Sequence, residues 1–145
     1  EEFVLFLDEN LHNCQPILQA LEAARISCER HSVHFRAGTP DGEWLPFVGS
    51  NGWLLITPDQ RIRYNELERK AIQRYRVRAF VFTAGNLSGA EMARLLILAF
   101  PKMRKICAKN DPPFIASITK SGDVHVRFDR FGSVHARKKS GHEPR

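Results

Sequence analysis

Three carboxylates are spread along this chain at positions where an acid needs explaining: Asp8, Asp41 and Asp59. Asp8 and its neighbour Glu9 end the run Phe3-Val4-Leu5-Phe6-Leu7, five apolar residues that read as a strand buried on both faces. A partly desolvated carboxylate in that position needs a cation or hydrogen-bond donors. Asp59 follows a second such run, Trp53-Leu54-Leu55-Ile56-Thr57, after a single proline. Asp41, with Glu43 close behind, stands where a helix is expected to begin. Clustered carboxylates repel one another unless a hard cation neutralises them. Mg²⁺ or Mn²⁺ takes oxygen ligands and commonly keeps several waters, and such a site activates a water and clamps a phosphodiester. The plain alternative for each acid is a helix cap or a turn.

Whether the three meet depends on the elements that carry them. After the first strand, the spacing predicts a helix over Asn13 to Ala24, with Pro16 in its first turn and Ile17, Leu18, Leu21 and Ala24 on one face. Ile26 to Arg30 is a weak second strand near an edge, followed by an irregular loop from His31 to Thr39. Thr39 or Asp41 then caps a helix whose apolar face starts at Trp44, Leu45 and Val48, Pro46 favouring the later start, and Gly52 ends it. Trp53 to Thr57 is the third strand. Tyr64 to Tyr75 reads as a charged helix with a narrow stripe at Leu67 and Ala71, and Val77 to Thr83 as the fourth strand. Ser88-Gly89-Ala90-Glu91 is a capping box, with Leu87 and Met92 placed as a hydrophobic staple. The helix it opens, Ala93 to Phe100, is almost wholly apolar and expected to be buried; Pro101 bends or restarts it before a basic stretch to Lys109. Beyond Pro112-Pro113, Phe114 to Thr119 and Val124 to Phe128 flank Lys120-Ser121-Gly122-Asp123, a hairpin signature.

Strands alternating with helices imply an α/β fold with a parallel sheet and right-handed crossovers. With strand order 2-1-3-4, strands one and three lie side by side, roughly 4.8 Å apart. Asp8 and Asp59 then share the carboxyl edge, and the helix beginning near Asp41 starts at that same edge. Ligands of open α/β sheets collect in this crevice. The expected organisation is a domain over residues 1–110, a hairpin over 111–135 packed on it, and a disordered basic tail over 136–145, where no apolar side chain beyond alanine occurs.

With 145 residues and 43% hydrophobic content, the chain is one domain able to bury a core. No run approaches the ~20 apolar residues of a membrane span. Glu1 and Glu2 stand where a signal peptide has basic residues, so none is expected. Cys14, Cys28 and Cys107 are an odd, widely spaced set, expected to be reduced in a cytoplasmic protein. Residues 1–100 hold 11 Lys+Arg against 12 Asp+Glu, a balance of −1, and residues 101–145 hold 11 against 4, a balance of +7. A basic end of this kind attracts polyanions, and Lys102, Lys105, Lys138 and Lys139 are its candidate phosphate contacts. Arg61 and Arg63, just after Asp59, either grip a phosphate or face solvent. His31-x-x-His34 lacks further ligands and reads as an ordinary loop pair, while Glu66 and Glu68 read as solvated partners of Lys70 and nearby arginines.

Phe6-Leu7-Asp8-Glu9-Asn10-Leu11, Asp41-x-Glu43-Trp44, Trp53-x-x-x-x-Thr57-x-Asp59-x-Arg61-Ile62-Arg63 and the capped Asn86-Leu87-Ser88-Gly89-Ala90-Glu91-Met92 together resemble the PIN-like domains of toxin–antitoxin nucleases, over about Phe3 to Lys109. The resemblance implies a three-layer sandwich with helices on both faces of the sheet. It implies a metal-dependent endoribonuclease in which Asp8, Asp41 and Asp59 match the acidic Mg²⁺ or Mn²⁺ ligands. It also implies RNA as substrate, a cognate antitoxin as partner, and a homodimer as a candidate assembly. Many PIN domains carry a fourth acid after a later strand; here that place reads Thr83-Ala84-Gly85-Asn86. Glu43 or Asn86 then completes the shell, with Glu9 a further candidate, or activity is weak. The rivals are a PIN-like module that only binds RNA or a partner, and a phosphoacceptor receiver domain built on Asp8-Glu9, Asp59, Thr83 and Lys102. A receiver's Lys precedes a Pro, whereas here Pro101 precedes Lys102.

Overall fold

The computed structural model describes residues 3–130. Six strands form one sheet in the order β2-β1-β3-β4-β5-β6. Strands β1 (Val4–Leu7), β2 (Ser27–Arg30), β3 (Leu54–Thr57), β4 (Arg78–Phe82) and β5 (Phe114–Ile118) are mutually parallel, and β6 (Val124–Phe128) returns antiparallel on β5. The fold is therefore α/β, with the expected 2-1-3-4 order and a C-terminal hairpin. The inner strands are apolar at nearly every position because both faces are covered. Leu5, Leu7, Leu54, Ile56, Phe80 and Phe82 point to one core, shared with α1 (Gln15–Ala23) and α6 (Gly89–Lys109). Phe6, Leu55, Ala79, Val81 and Ile115 point to the other, shared with α3 (Asp41–Asn51), α4 (Arg61–Tyr64) and α5 (Glu66–Arg74). This strict alternation is the period-two geometry of a pleated strand.

Several elements differ from the expectation. The segment after β2 is not irregular throughout: His31–His34 forms a short helix, α2. Its His31 is fully buried among Phe6, Phe35 and Trp44. Helix α3 starts at Asp41 with Pro40 at its N-cap, and neither Thr39 nor Asp41 caps it; Pro46 lies inside the helix. The Thr39 hydroxyl bonds instead to the carbonyl of Arg36 at 2.6 Å.

The charged helix expected over Tyr64 to Tyr75 is α5, and the short α4 precedes it. Asn65 separates the two and caps α5, its side-chain oxygen accepting from the N–H groups of Leu67 (2.9 Å) and Glu68 (3.3 Å). That start fixes the phase of α5 one residue away from the expected stripe: Ile72 is buried, whereas Leu67 is 78% exposed. Helix α6 runs unbroken through Pro101, and it buries one face only, leaving Leu98 about half exposed. Its capping box forms as read, Ser88 and Glu91 exchanging bonds of 3.1 and 2.8 Å. No helix among the described residues is long and apolar enough to cross a membrane.

Two close approaches lock the layers. A Cβ at Gly49 on α3 would fall onto the carbonyl oxygen of Tyr75, so the end of α5 lies directly on that glycine. At the hairpin turn, Gly122 takes φ +86° with Leu98 of α6 against it, and Lys102 of α6 bonds the Asp123 carboxylate at 2.7 Å.

Candidate functional site

The chain leaves β1 to one side, forming β2, and returns on the other side to form β3. The point between β1 and β3 is thus the topological switch of the sheet, where α/β proteins open a crevice at the carboxyl ends. A pocket of about 330 Å³ lies there. Its apolar floor is Leu55 with Trp44, Leu45 and Ile72, on the side of α3 and α5. Its polar lining includes Asp8, Glu9, Asp41, Asp59, Glu68 and Arg61. All three of the spaced aspartates therefore reach one cavity.

Asp8 is the residue after β1 and is only 5% exposed. Its carboxylate accepts from the Asn10 backbone N–H (3.0 Å), the Asn10 amide (3.4 Å) and the Thr57 hydroxyl. These donors do not offset its removal from water. Burial pushes the Asp8 carboxyl up to about 6, and the Asp59 charge adds to the rise. Thr57 links the two acids: its hydroxyl also accepts the backbone N–H of Asp59 at 3.0 Å.

Asp59 has the opposite environment. Arg61 donates from Nε to both carboxylate oxygens (3.0 and 3.1 Å) and from its terminal nitrogen at 2.7 Å, and its backbone N–H adds a bond at 2.9 Å. This guanidinium holds Asp59 below the usual carboxylate range. Across the pocket, Asp41 is on the first turn of α3 and Glu68 on the first turn of α5. Burial raises the Glu68 carboxyl, and the charge of Asp41 raises it further, the two side chains being hydrogen-bonded. The charge of Arg61 offsets part of that rise.

The remaining candidates are dispersed. Glu9 lines the pocket, but one oxygen accepts the Gly38 backbone N–H at 2.7 Å, tying down the α2–α3 connection. Glu43 is exposed on α3, and Asn86 is exposed at φ +58° in the loop after β4; neither lines the pocket. Arg63 lies over the Tyr64 ring, 4.8 Å from its centre. Lys102 is engaged by Asp123, while Lys105 borders a separate groove with Arg78 and Arg104. Lys138 and Lys139, and the tail expected over 136–145, lie outside the described residues. His34 pairs with Glu29 at 2.7 Å, away from the pocket lining.

Glu68 is the residue that sequence reading places elsewhere, as a solvated partner. The signal for it is Asn65, a strong N-cap residue. Starting α5 at Glu66 puts Glu68 and Ile72, four apart, on the inward face.

The donor set is all oxygen, the kind that hard divalent cations take, and two of its acids are raised, chiefly by burial. Among the described residues, however, no three His, Cys, Asp or Glu side chains stand close enough to hold a metal ion. Arg61 already occupies Asp59. The donor chemistry suits a hard cation, with Asp8 the most buried of these acids, but the described residues do not bring three acids together around one.

An α/β sandwich with an acidic pocket at its switch point is an architecture that several protein classes share. The family model for the PIN-like domain matches residues 3–84, more than half of the chain, and the protein belongs to that family. No curated protein and no solved structure matches it.

Proposed function

We propose that this protein is a metal-dependent endoribonuclease, acting as the toxin of a toxin–antitoxin pair. The observation that carries the reading is the Asp8 carboxyl, pushed up to about 6 by burial at the switch point of a PIN-like sheet. A buried, underneutralised carboxylate gains nothing for the fold, whereas a bound cation would neutralise it. Asp8, Asp41 and Asp59 are the acids that would hold the Mg²⁺ or Mn²⁺ ion, once drawn together and with Asp59 released by Arg61, with Glu68 on the same pocket in the place given above to Glu43 or Asn86. When bound, the ion supplies a Lewis acid that acidifies water and draws charge from the phosphodiester oxygens.

The chain's own groups do the rest. Thr57 and Asn10 hold the Asp8 carboxylate in place through their hydrogen bonds. Arg61, largely exposed at the rim, is the pocket's one lining cation among the described residues and suits a phosphate oxygen of the scissile link. An inhibitor that inserts Arg or Lys among these carboxylates satisfies them as a cation does, which is the chemistry expected of an antitoxin.

The test is cleavage of RNA by the purified chain with Mn²⁺, with and without excess EDTA, and for Asp8→Asn. Activity that survives either EDTA or Asp8→Asn overturns the reading. Growth arrest on expression in a bacterial host, relieved by Asp8→Asn and by a small neighbouring protein, tests the toxin assignment; harmless high-level expression of the folded chain refutes it. A second reading, a catalytically weak module that binds RNA or a protein partner, draws on the occupation of Asp59 by Arg61. It is favoured if RNA binds but is not cut.

A further inference from the structure

The five acids around the pocket repel a polyanion, so a nucleic-acid strand must be held there by something other than the carboxylates. The rim segment α4 offers it. Tyr64 is 69% exposed. It lies three residues after Arg61 and four before Glu68, both of which line the pocket; residues three apart on a helix are surface neighbours. Asn65, the cap of α5, follows it directly, so the ring stands at a corner of the chain. The Arg63 guanidinium covers the ring at 4.8 Å, and the Arg63 carbonyl is in turn held by Arg69 at 2.8 Å. Arg63 takes one face of the ring, and the rest of so exposed a ring is a surface on which an unpaired base can stack.

We propose that Tyr64, with Arg63, is a stacking platform that seats a nucleobase of single-stranded RNA beside the acidic pocket. The inference rests on the ribonuclease reading and adds to it a residue that positions the substrate. Stacking suits this rim because the base is neutral: it gains contact without bringing further negative charge toward Asp8, Asp41 and Glu68. Arg63 supplies the complementary charge for the adjoining phosphate. Tyr64 acts here by positioning; it does not take part in the chemistry at the pocket.

The experiment measures binding of a fluorescent single-stranded RNA oligonucleotide, and of the same sequence as a duplex, to the Asp8→Asn chain with and without Tyr64→Ala, Tyr64→Phe and Tyr64→Trp. Loss of one stacked base weakens single-strand binding by roughly tenfold in Tyr64→Ala. Tyr64→Phe and Tyr64→Trp retain it, and duplex binding changes little. In the cleaving chain, Tyr64→Ala raises KM and leaves kcat close to its starting value. Melting temperatures of the four forms stay together, since the ring is mostly exposed. Unchanged affinity in Tyr64→Ala, with RNA still bound, overturns the platform and leaves the ribonuclease reading standing. Absence of any RNA binding or cleavage by the parent chain overturns both. A Tyr64→Ala chain that keeps its RNA affinity but loses a co-purifying inhibitor assigns the ring to protein recognition and also refutes the proposal.

Discussion

Asp8 and Asp59 are the same residue type on the same pocket, and their surroundings drive them in opposite directions. Asp8 is raised to about 6 by burial, Asp59 lowered by Arg61. For a carboxyl raised in the folded state, the folded chain binds the proton more tightly, so the contribution of Asp8 to stability is fully present at acid pH and is lost as pH rises from about 4 to about 6. The full effect is on the order of 3 kcal/mol, taking about 1.4 kcal/mol per pH unit. Thermal melts in chelator should therefore show a decline across this window that Asp8→Asn removes; Asp8→Asn should melt a few degrees higher at pH 7, and added Mn²⁺ should stabilise only the parent. Arg61→Gln removes the guanidinium from Asp59, and NMR titration should find the Asp59 carboxyl moved upward toward the ordinary range; an unmoved titration refutes the pairing. That Asp8 and Asp59 share a pocket was legible from the two apolar runs that end in acids. That one is held protonation-prone and the other ionised was not, because Arg61 as a partner depends on a turn geometry no spacing rule specifies.

At the scale of elements, the split between α4 and α5 determines which acids meet. Period counting alone favours Leu67 and Ala71 as the inward stripe, because both are apolar and four apart. The cap at Asn65 outranks that pattern: it starts the helix, sets its phase, and brings Glu68 rather than Leu67 to the pocket side. Asn65→Ala should lower stability by about 1 kcal/mol and cut metal-dependent cleavage by more than that loss explains, since Glu68 and Arg61 both hinge on this corner. Full activity in a destabilised Asn65→Ala chain would show that the corner is only structural. Gly49→Ala tests the opposite element contact. The added methyl meets backbone, not a side chain that can swing away, so a destabilisation of about 3 kcal/mol or more is expected, readable as a reduced urea midpoint. Similarly, the sequence reads Pro46 as a sign of a later helix start and Pro101 as a bend, yet both sit inside helices. Tertiary packing on each side, Trp44, Leu45 and Val48 in one case and Ala99 and Met103 in the other, overrides the missing N–H.

Across the whole molecule, charge and chemistry are separated. The acidic pocket belongs to the first hundred residues, and the excess of seven positive charges to the remainder. The order of the strands was readable because unbroken apolar runs identify inner parallel strands, and the crossover rule then limits their arrangement. The antiparallel return of β6 was readable from its turn residues. Arg137, Lys138, Lys139 and Arg145, outside the described residues, give a direct test of long-range attraction. Deleting residues 136–145 should weaken RNA binding and flatten its dependence on salt, by about 0.7 in the log–log slope for each phosphate no longer neutralised, with the melting temperature little changed. An unaltered slope would show that these cations take no part.

The sheet does not stop where the family match stops. Residues 3–84 end just after β4, yet β4 is an inner strand whose other edge is taken by β5, which comes only after the whole of α6. A fragment trimmed to the matched segment would present the open backbone of Arg78–Phe82 and strip α6 from Phe80 and Phe82. Such a piece would be adhesive, pairing with whatever strand it met. Conversely, a protease nick in the exposed turn at Gly85 and Asn86 would leave two pieces interlocked through the β4–β5 ladder and the α1–α6 packing, without a covalent link. The molecule is in that sense a natural pair of complementing halves, one bearing the acids and the other supplying the strand that makes them a finished surface.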